Sequence, residues 1–226
     1  MRALGIMVFA LGAGLSAVPA TACSLALVMA MDVSASVDAR EHRLQLDGVA
    51  GALNDPEVIS AIESVGGIWF HSFEWSGRHK QKTQVDWTFL TDAGSARAAA
   101  TALAATSRSE TEFPTALGYA LGHASVVLKQ APEQCRRRVI DVAGDGINNE
   151  GFGPQNAYSA FDFAGITVNA LVVSEVEGTT DYYAREVLHG PAAFMEVTRD
   201  FDDYKTAMTR KLLREIRGNQ FAAAKP

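Results

Sequence analysis

Residues Leu25 to Met31 read LALVMAM, seven apolar positions in succession, and the run stops at Asp32. A strand with one face in water alternates apolar and polar residues. An unbroken run needs cover on both faces, as in a parallel sheet flanked by helices. The rest of the chain supplies the cover. Leu46, Val49, Ala50 and Leu53 recur at i, i+3, i+4 and i+7, the apolar stripe of a helix. GGIWFHSFEWSG and KTQVDWTFL are aromatic and β-branched runs joined by a short polar segment, which predicts a hairpin. SARAAATALAAT and PTALGYALGHASVVLKQ predict helices, the second with Pro114 near its start. RRVIDVA, ITVNALVVS and AAFMEVT predict three more strands. FDDYKTAMTRKLLREI predicts a closing helix with Tyr204, Met208, Leu212 and Ile216 on one side. Alternating strands and helices imply an α/β fold: a doubly wound, mostly parallel six-stranded sheet with helices on both faces. Ligands of such sheets bind beyond the carboxyl ends of the strands, where the strand order reverses. Asp32 belongs there.

No internal repeat or long linker divides the 226 residues, so one domain is expected. The net charge of −6 argues against a nucleic-acid or anionic-membrane surface, and Arg136-Arg137-Arg138 is the only basic cluster. The N-terminus, MRALGIMVFALGAGLSAVPATACS, has a basic residue, an apolar stretch and an A-x-A pattern at Ala20-Thr21-Ala22. It reads as a signal peptide over 1–22, followed by a domain over 23–217 and a tail over 218–226. As an uncleaved anchor it would be short and broken by glycines and Pro19. A periplasmic or secreted protein without stable membrane insertion is therefore expected. Cleavage leaves Cys23 first, but Ala20 stands where a lipobox carries a larger aliphatic residue.

Three small oxygen-bearing side chains, Asp32-x-Ser34-x-Ser36, follow the first strand. Alone they fit an Asx turn or a helix cap equally well. Thr115, at a helix start, and Asp145, at a strand end, extend them to two carboxylates and three hydroxyls. Hard divalent cations choose such all-oxygen sets: Mg²⁺ first, with Mn²⁺ or Ca²⁺ as alternatives. No His or Cys joins the set, which argues against zinc. Neutral hydroxyls leave much of the ion's charge uncompensated, so a carboxylate from another protein would make a strong final ligand.

This combination resembles the von Willebrand factor A domain. Its metal-ion-dependent adhesion site (MIDAS) uses Asp-x-Ser-x-Ser after strand one, a threonine at a mid-chain helix start and an Asp-Gly after strand four. The motif positions here are Asp32, Ser34, Ser36, Thr115 and Asp145-Gly146, and the resemblance spans roughly Ser24 to Arg217. More narrowly, EWS, VDWT, RRVIDVAGDGINNEG, GITVNAL and YY…VLHGPAAF resemble an exported bacterial family with the A-type fold and no assigned function. Two details depart from the pattern. Gly144 stands where Ser or Thr is usual, and Thr111 competes with Thr115 for the helix-start position. The resemblance also places strand one beside strand four. Asp32 lies nine residues after Cys23 and Asp145 ten after Cys135, so both cysteines reach the opposite end of the sheet in near register. Strands about 4.8 Å apart bring such a pair within disulfide range, which an oxidising compartment would preserve. Two free thiols are the alternative.

Other polar residues have plainer readings. Asp141, inside a strand covered on both faces, needs a partner that the sequence does not name. Asn148 and Asn149 either line the mouth of the site or are ordinary loop residues. Trp69, Trp75 and Trp87 read as core or sheet surface, Glu74 beside Trp75 hints at a further role, and the five histidines lack metal-ligand spacing. No phosphate-binding glycine loop, nucleophile elbow or zinc-protease motif is present. The resemblance thus implies a metal-dependent binding module rather than an enzyme, gripping an acidic group on a partner protein. A Mg²⁺-dependent phosphate-ester hydrolase and a structural domain with a lapsed site are the alternatives. Against the hydrolase, Ser34 stands where an aspartyl-phosphate enzyme has a second Asp, and no lysine flanks the candidate loops.

Overall fold

Alternate residues of the apolar run point to opposite sides of the sheet. The computed structural model describes residues 23–218; the signal-peptide reading of 1–22 and the tail 219–226 lie outside the described residues. In β1 (Leu25–Asp32), Leu25, Leu27, Met29 and Met31 enter one buried cluster, while Ala26, Val28 and Ala30 enter another. Helices α1 (Ala39–Leu53), α2 (Pro56–Ser64) and α3 (Ala93–Ala104) cover the first face together with the closing helix α7 (Tyr204–Arg217). The second face is covered by α4 (Leu117–Lys129), α5 (Pro154–Ala160) and a short segment, α6 (Thr179–Tyr182), that runs into a π-helical turn, Tyr183–Val187.

The six strands are ordered β3-β2-β1-β4-β5-β6. They are β1, β2 (Ile68–Trp75), β3 (Gln81–Leu90), β4 (Arg137–Gly144), β5 (Ile166–Val173) and β6 (Met195–Thr198). All pairings are parallel except the β2–β3 hairpin. The chain builds β2 and β3 outward on one side of β1, then crosses to β4 on the other. The order therefore reverses between β1 and β4, and Asp32 and Gly144 end those two strands. The fold class expected from the sequence is the one observed. At finer scale β6 is shorter than AAFMEVT suggests, and α2, α5, α6 and the π turn are additions.

Cys23 and Cys135 form a disulfide, with Cα atoms 4.4 Å apart. Beside it, Arg136 N donates to the Cys23 carbonyl at 2.8 Å, opening the β1–β4 ladder at the end opposite Asp32.

Asp141 finds its partner on α7. Lys211 Nζ lies 2.5 Å from Asp141 Oδ1 and 2.6 Å from Glu215 Oε1, with both side chains of each pair fully buried. Asn169 Nδ2 also donates to Glu215 Oε1, at 3.0 Å. One lysine thus serves two carboxylates. Burial, then the Glu215 charge, push the Asp141 carboxyl from 3.8 up to about 7, against the pull of Lys211. The folded protein therefore holds a proton at Asp141 more firmly than the unfolded chain does. That contribution to stability is present at low pH and lost as pH rises from about 4 to about 7. Asp141→Asn should flatten the fall in urea midpoint between about pH 4 and pH 7. Parallel profiles for variant and wild type would show the carboxyl ionised throughout.

Candidate metal centre

Four segments meet above the carboxyl ends of β1 and β4. The Asp32–Ser36 loop is held by its own backbone and by its neighbours. Ser34 N donates to Asp32 Oδ1 at 2.7 Å, an Asx turn, and Gln45 Nε2 of α1 donates to the Asp32 carbonyl at 2.9 Å. Val33 N bonds to the Trp75 carbonyl and Ala35 N to the Phe113 carbonyl. Arg108 Nη2 donates to the carbonyls of Val33 and Ser34, at 3.0 and 2.9 Å. The loop is fixed from three sides.

Its side chains converge with two from elsewhere in the chain. Thr115 Oγ1 lies 3.3 Å from Ser34 Oγ, Ser34 Oγ lies 3.3 Å from Ser36 Oγ, and Ser36 Oγ donates to Asp145 Oδ1 at 3.0 Å. Asp32, Ser34, Thr115 and Asp145 are buried, whereas Ser36 is exposed, so the cluster opens to solvent on one side. Thr111 is exposed, and it is Thr115 that the fold brings to Ser34.

The set has the chemistry a hard cation needs. Hydroxyl–hydroxyl hydrogen bonds usually measure about 2.7–2.8 Å. Oxygens sharing an octahedral ion at about 2.1 Å stand about 3.0 Å apart, close to the spacings here. Asp32 Oδ2 is buried without a hydrogen-bond partner. Burial, then the Asp145 charge, push the Asp32 carboxyl up to about 8, and burial raises Asp145 as well. Two buried carboxyl groups thus disfavour each other's charge, while Arg108, the neighbouring cation, is engaged with carbonyls. No group of three or more His, Cys, Asp or Glu side chains suited to a metal exists among the described residues, so any metal here relies on the hydroxyls.

The surroundings include the two asparagines raised as mouth or loop residues, and features that sequence reading did not assign. Asn149 Oδ1 accepts from Thr115 N at 2.8 Å, and Asn148 Oδ1 from Gly118 N at 3.3 Å, so both asparagines brace the Thr115 loop and the start of α4. Ile147 and Val176 stand exposed on loops at this end of the sheet, 50% and 61% accessible. The rim is acidic: Glu175 is raised by desolvation and by the charges of Glu41, Asp145, Asp200 and Asp38. The buried Tyr183 reaches over Gly144 from the π turn. No local spacing marks Arg108, Gln45 or Tyr183, because each arrives from a different element.

No curated protein matches the chain. Among solved structures it is similar to proximal thread matrix protein 1 of the mussel byssus, in a structure with a zinc-occupied MIDAS motif. The two share 14% identity at a TM-score of 0.66, over 87% of this chain and 48% of that one. It is also similar to a von Willebrand factor type A protein from Catenulispora acidiphila, at 16% identity and TM-score 0.63, over 87% and 43%. The PilB minor pilin from Streptococcus sanguinis matches at 14% identity and TM-score 0.61, over 92% and 65%. The chain thus spans less than two thirds of each of these proteins, and at such identities the likeness is one of fold. A family model covers residues 22–220, and on that match the chain belongs to the family described as protein of unknown function DUF1194, with the fold of a von Willebrand factor A domain.

Proposed function

We propose that the protein is an exported binding module that grips an acidic group of a partner protein through a divalent ion at this site. The observation that carries the reading is the hydrogen-bonded chain of Thr115, Ser34, Ser36 and Asp145 beside Asp32, whose buried Oδ2 has no partner among the described residues. Those five residues would hold the ion, Mg²⁺ in preference, with Mn²⁺ or Ca²⁺ as substitutes. Zinc belongs in the comparison, because the mussel protein holds it in a MIDAS motif. A bound ion supplies a Lewis-acid centre with an open position for a carboxylate. The protein does the rest: Arg108 and Gln45 hold the loop, the asparagines hold Thr115, and Ile147 and Val176 offer apolar contact around the mouth. The acidic rim raises the local cation concentration and repels an acidic partner when no ion is bound, so binding should be gated by the metal. The disulfide suits a periplasmic or secreted location, as does likeness to a pilin. No helix among the described residues is long and apolar enough to cross a membrane. Phosphate-ester hydrolysis is less well supported, since it wants a cation free to meet the phosphate and Arg108 is spent on carbonyls.

Asp32→Ala should abolish Mg²⁺ uptake in calorimetry while leaving the circular dichroism spectrum intact, because the core packs independently of the loop. Partner capture from periplasmic extract should fall far more with EDTA than with added salt, since a direct metal bond is screened less than surface charge. Equal Mg²⁺ uptake by the variant, or capture indifferent to EDTA, would sink the reading.

A further inference from the structure

This inference rests on the metal-site reading and adds a residue to it. Tyr183 opens the π-helical turn Tyr183–Val187, an uncommon element found disproportionately at functional sites. Its side chain is fully buried and its hydroxyl has no hydrogen-bond partner. A buried, unpaired hydroxyl is costly, and phenylalanine would fill the same space without it. The hydroxyl's position suggests what it is for. A Cβ added at Gly144 would collide with Tyr183 Oη and stand 3.2 Å from Asp32 Oδ2. A single point at the end of β4 is therefore in contact with both the phenol oxygen and the carboxylate oxygen. Asp32 Oδ2 is also buried without a partner among the described residues, and as an ionised metal ligand it accepts where the phenol donates.

We propose that Tyr183 is a positioning residue of the metal centre: on ion binding its hydroxyl, which has no hydrogen-bond partner in this structure, turns to donate to Asp32 Oδ2 and aims that carboxylate as a ligand, from the space that a side chain at position 144 would otherwise occupy. Gly144 is then required by close approach, not by backbone conformation, since its φ is not positive.

The test measures Mg²⁺ affinity by calorimetry and metal-free stability by urea denaturation in EDTA. Tyr183→Phe should weaken Mg²⁺ binding about 10–100-fold, the usual cost of losing a group that orients a ligand. Its metal-free stability should be unchanged or higher, because without an ion the hydroxyl has no hydrogen-bond partner among the described residues. Gly144→Ala should also weaken binding, by displacing the phenol, and carries the test if Tyr183→Phe does not fold. The decisive protein is the double variant Gly144→Ser with Tyr183→Phe. With the phenol oxygen gone, the nearest ring atom, Cζ, lies 3.5 Å from the new Cβ, an ordinary contact. The serine hydroxyl can then reach Asp32 and should restore affinity to within about threefold of wild type, a recovery that altered side-chain packing without a new donor would not produce. Tyr183→Phe binding Mg²⁺ as wild type does, or a double variant no better than Tyr183→Phe, overturns the inference alone. A wild-type protein that takes up no Mg²⁺ overturns the site reading and the inference together.

Discussion

Lys211→Met is expected to cost the protein about 3–5 kcal/mol of stability at pH 8, the range for removing one partner of a buried ion pair. Methionine fills most of the space of the lysine stem, so little of the loss comes from a cavity. It comes from Asp141 and Glu215, which keep their place between β4 and α7 with no cation between them. Asn169 still donates to Glu215, but nothing else offsets Asp141. Both carboxyls can escape by taking up protons, so the loss should be smaller at pH 5 than at pH 8. A neutral triple variant, Asp141→Asn, Lys211→Met and Glu215→Gln, should recover more than half of the loss. Urea denaturation at both pH values measures all of this. A loss at pH 8 below about 1 kcal/mol would mean that the carboxyls are already protonated or reached by water.

Breaking the disulfide should cost a comparable amount by a different route. Cys23 and Cys135 are 112 positions apart, and the bond denies the unfolded chain the freedom of that loop. The chain-entropy model gives about 4.7 kcal/mol for a loop of about 100 residues, and native disulfides of small secreted domains are worth about 2–5 kcal/mol. Cys135→Ser, or reduction of the wild type, should therefore lower the melting temperature by about 5–15 °C. Oxidised and reduced forms melting together would show that this end of β1 is held by its ladder and packing alone. Mg²⁺ affinity in the reduced protein should be nearly unchanged, since the bond lies at the far end of the strands from the site.

What could be read from the sequence followed from patterns confined to one segment. LALVMAM announces its double burial because each residue meets a wall of side chains, whichever face it points to. Tyr204, Met208, Leu212 and Ile216 announce a buried helix face for the same reason, and all four are buried. Helix α2 is marked only at its start. Asp55 accepts from Glu57 N and Pro56 sits in the first turn, a capping signal that an apolar-stripe reading passes over. The site divides the same way. Asp32, Ser34 and Ser36 lie in one loop and declare themselves by spacing. Asp141 declares a need for a partner, but Lys211 lies 70 positions away on a helix whose apolar stripe gives no hint of a buried charge. Tyr183 is harder still: one aromatic among many, its role set by the missing side chain at Gly144.

The position of the disulfide has a mechanical consequence. Cys23 and Asp32 stand at opposite ends of β1, roughly 30 Å apart at about 3.3 Å per residue. Tension applied between the Cys23 end and a partner held at Asp32 runs along the axis of the sheet's inner strand. It loads the ladders to β2 and β4 in shear, many hydrogen bonds at once, instead of unzipping them one by one. The covalent bond to Cys135 passes part of that load directly to β4, the strand that ends beside Asp145. A pull on a partner held at this site would thus be shared between two strands before it could draw β1 out of the sheet.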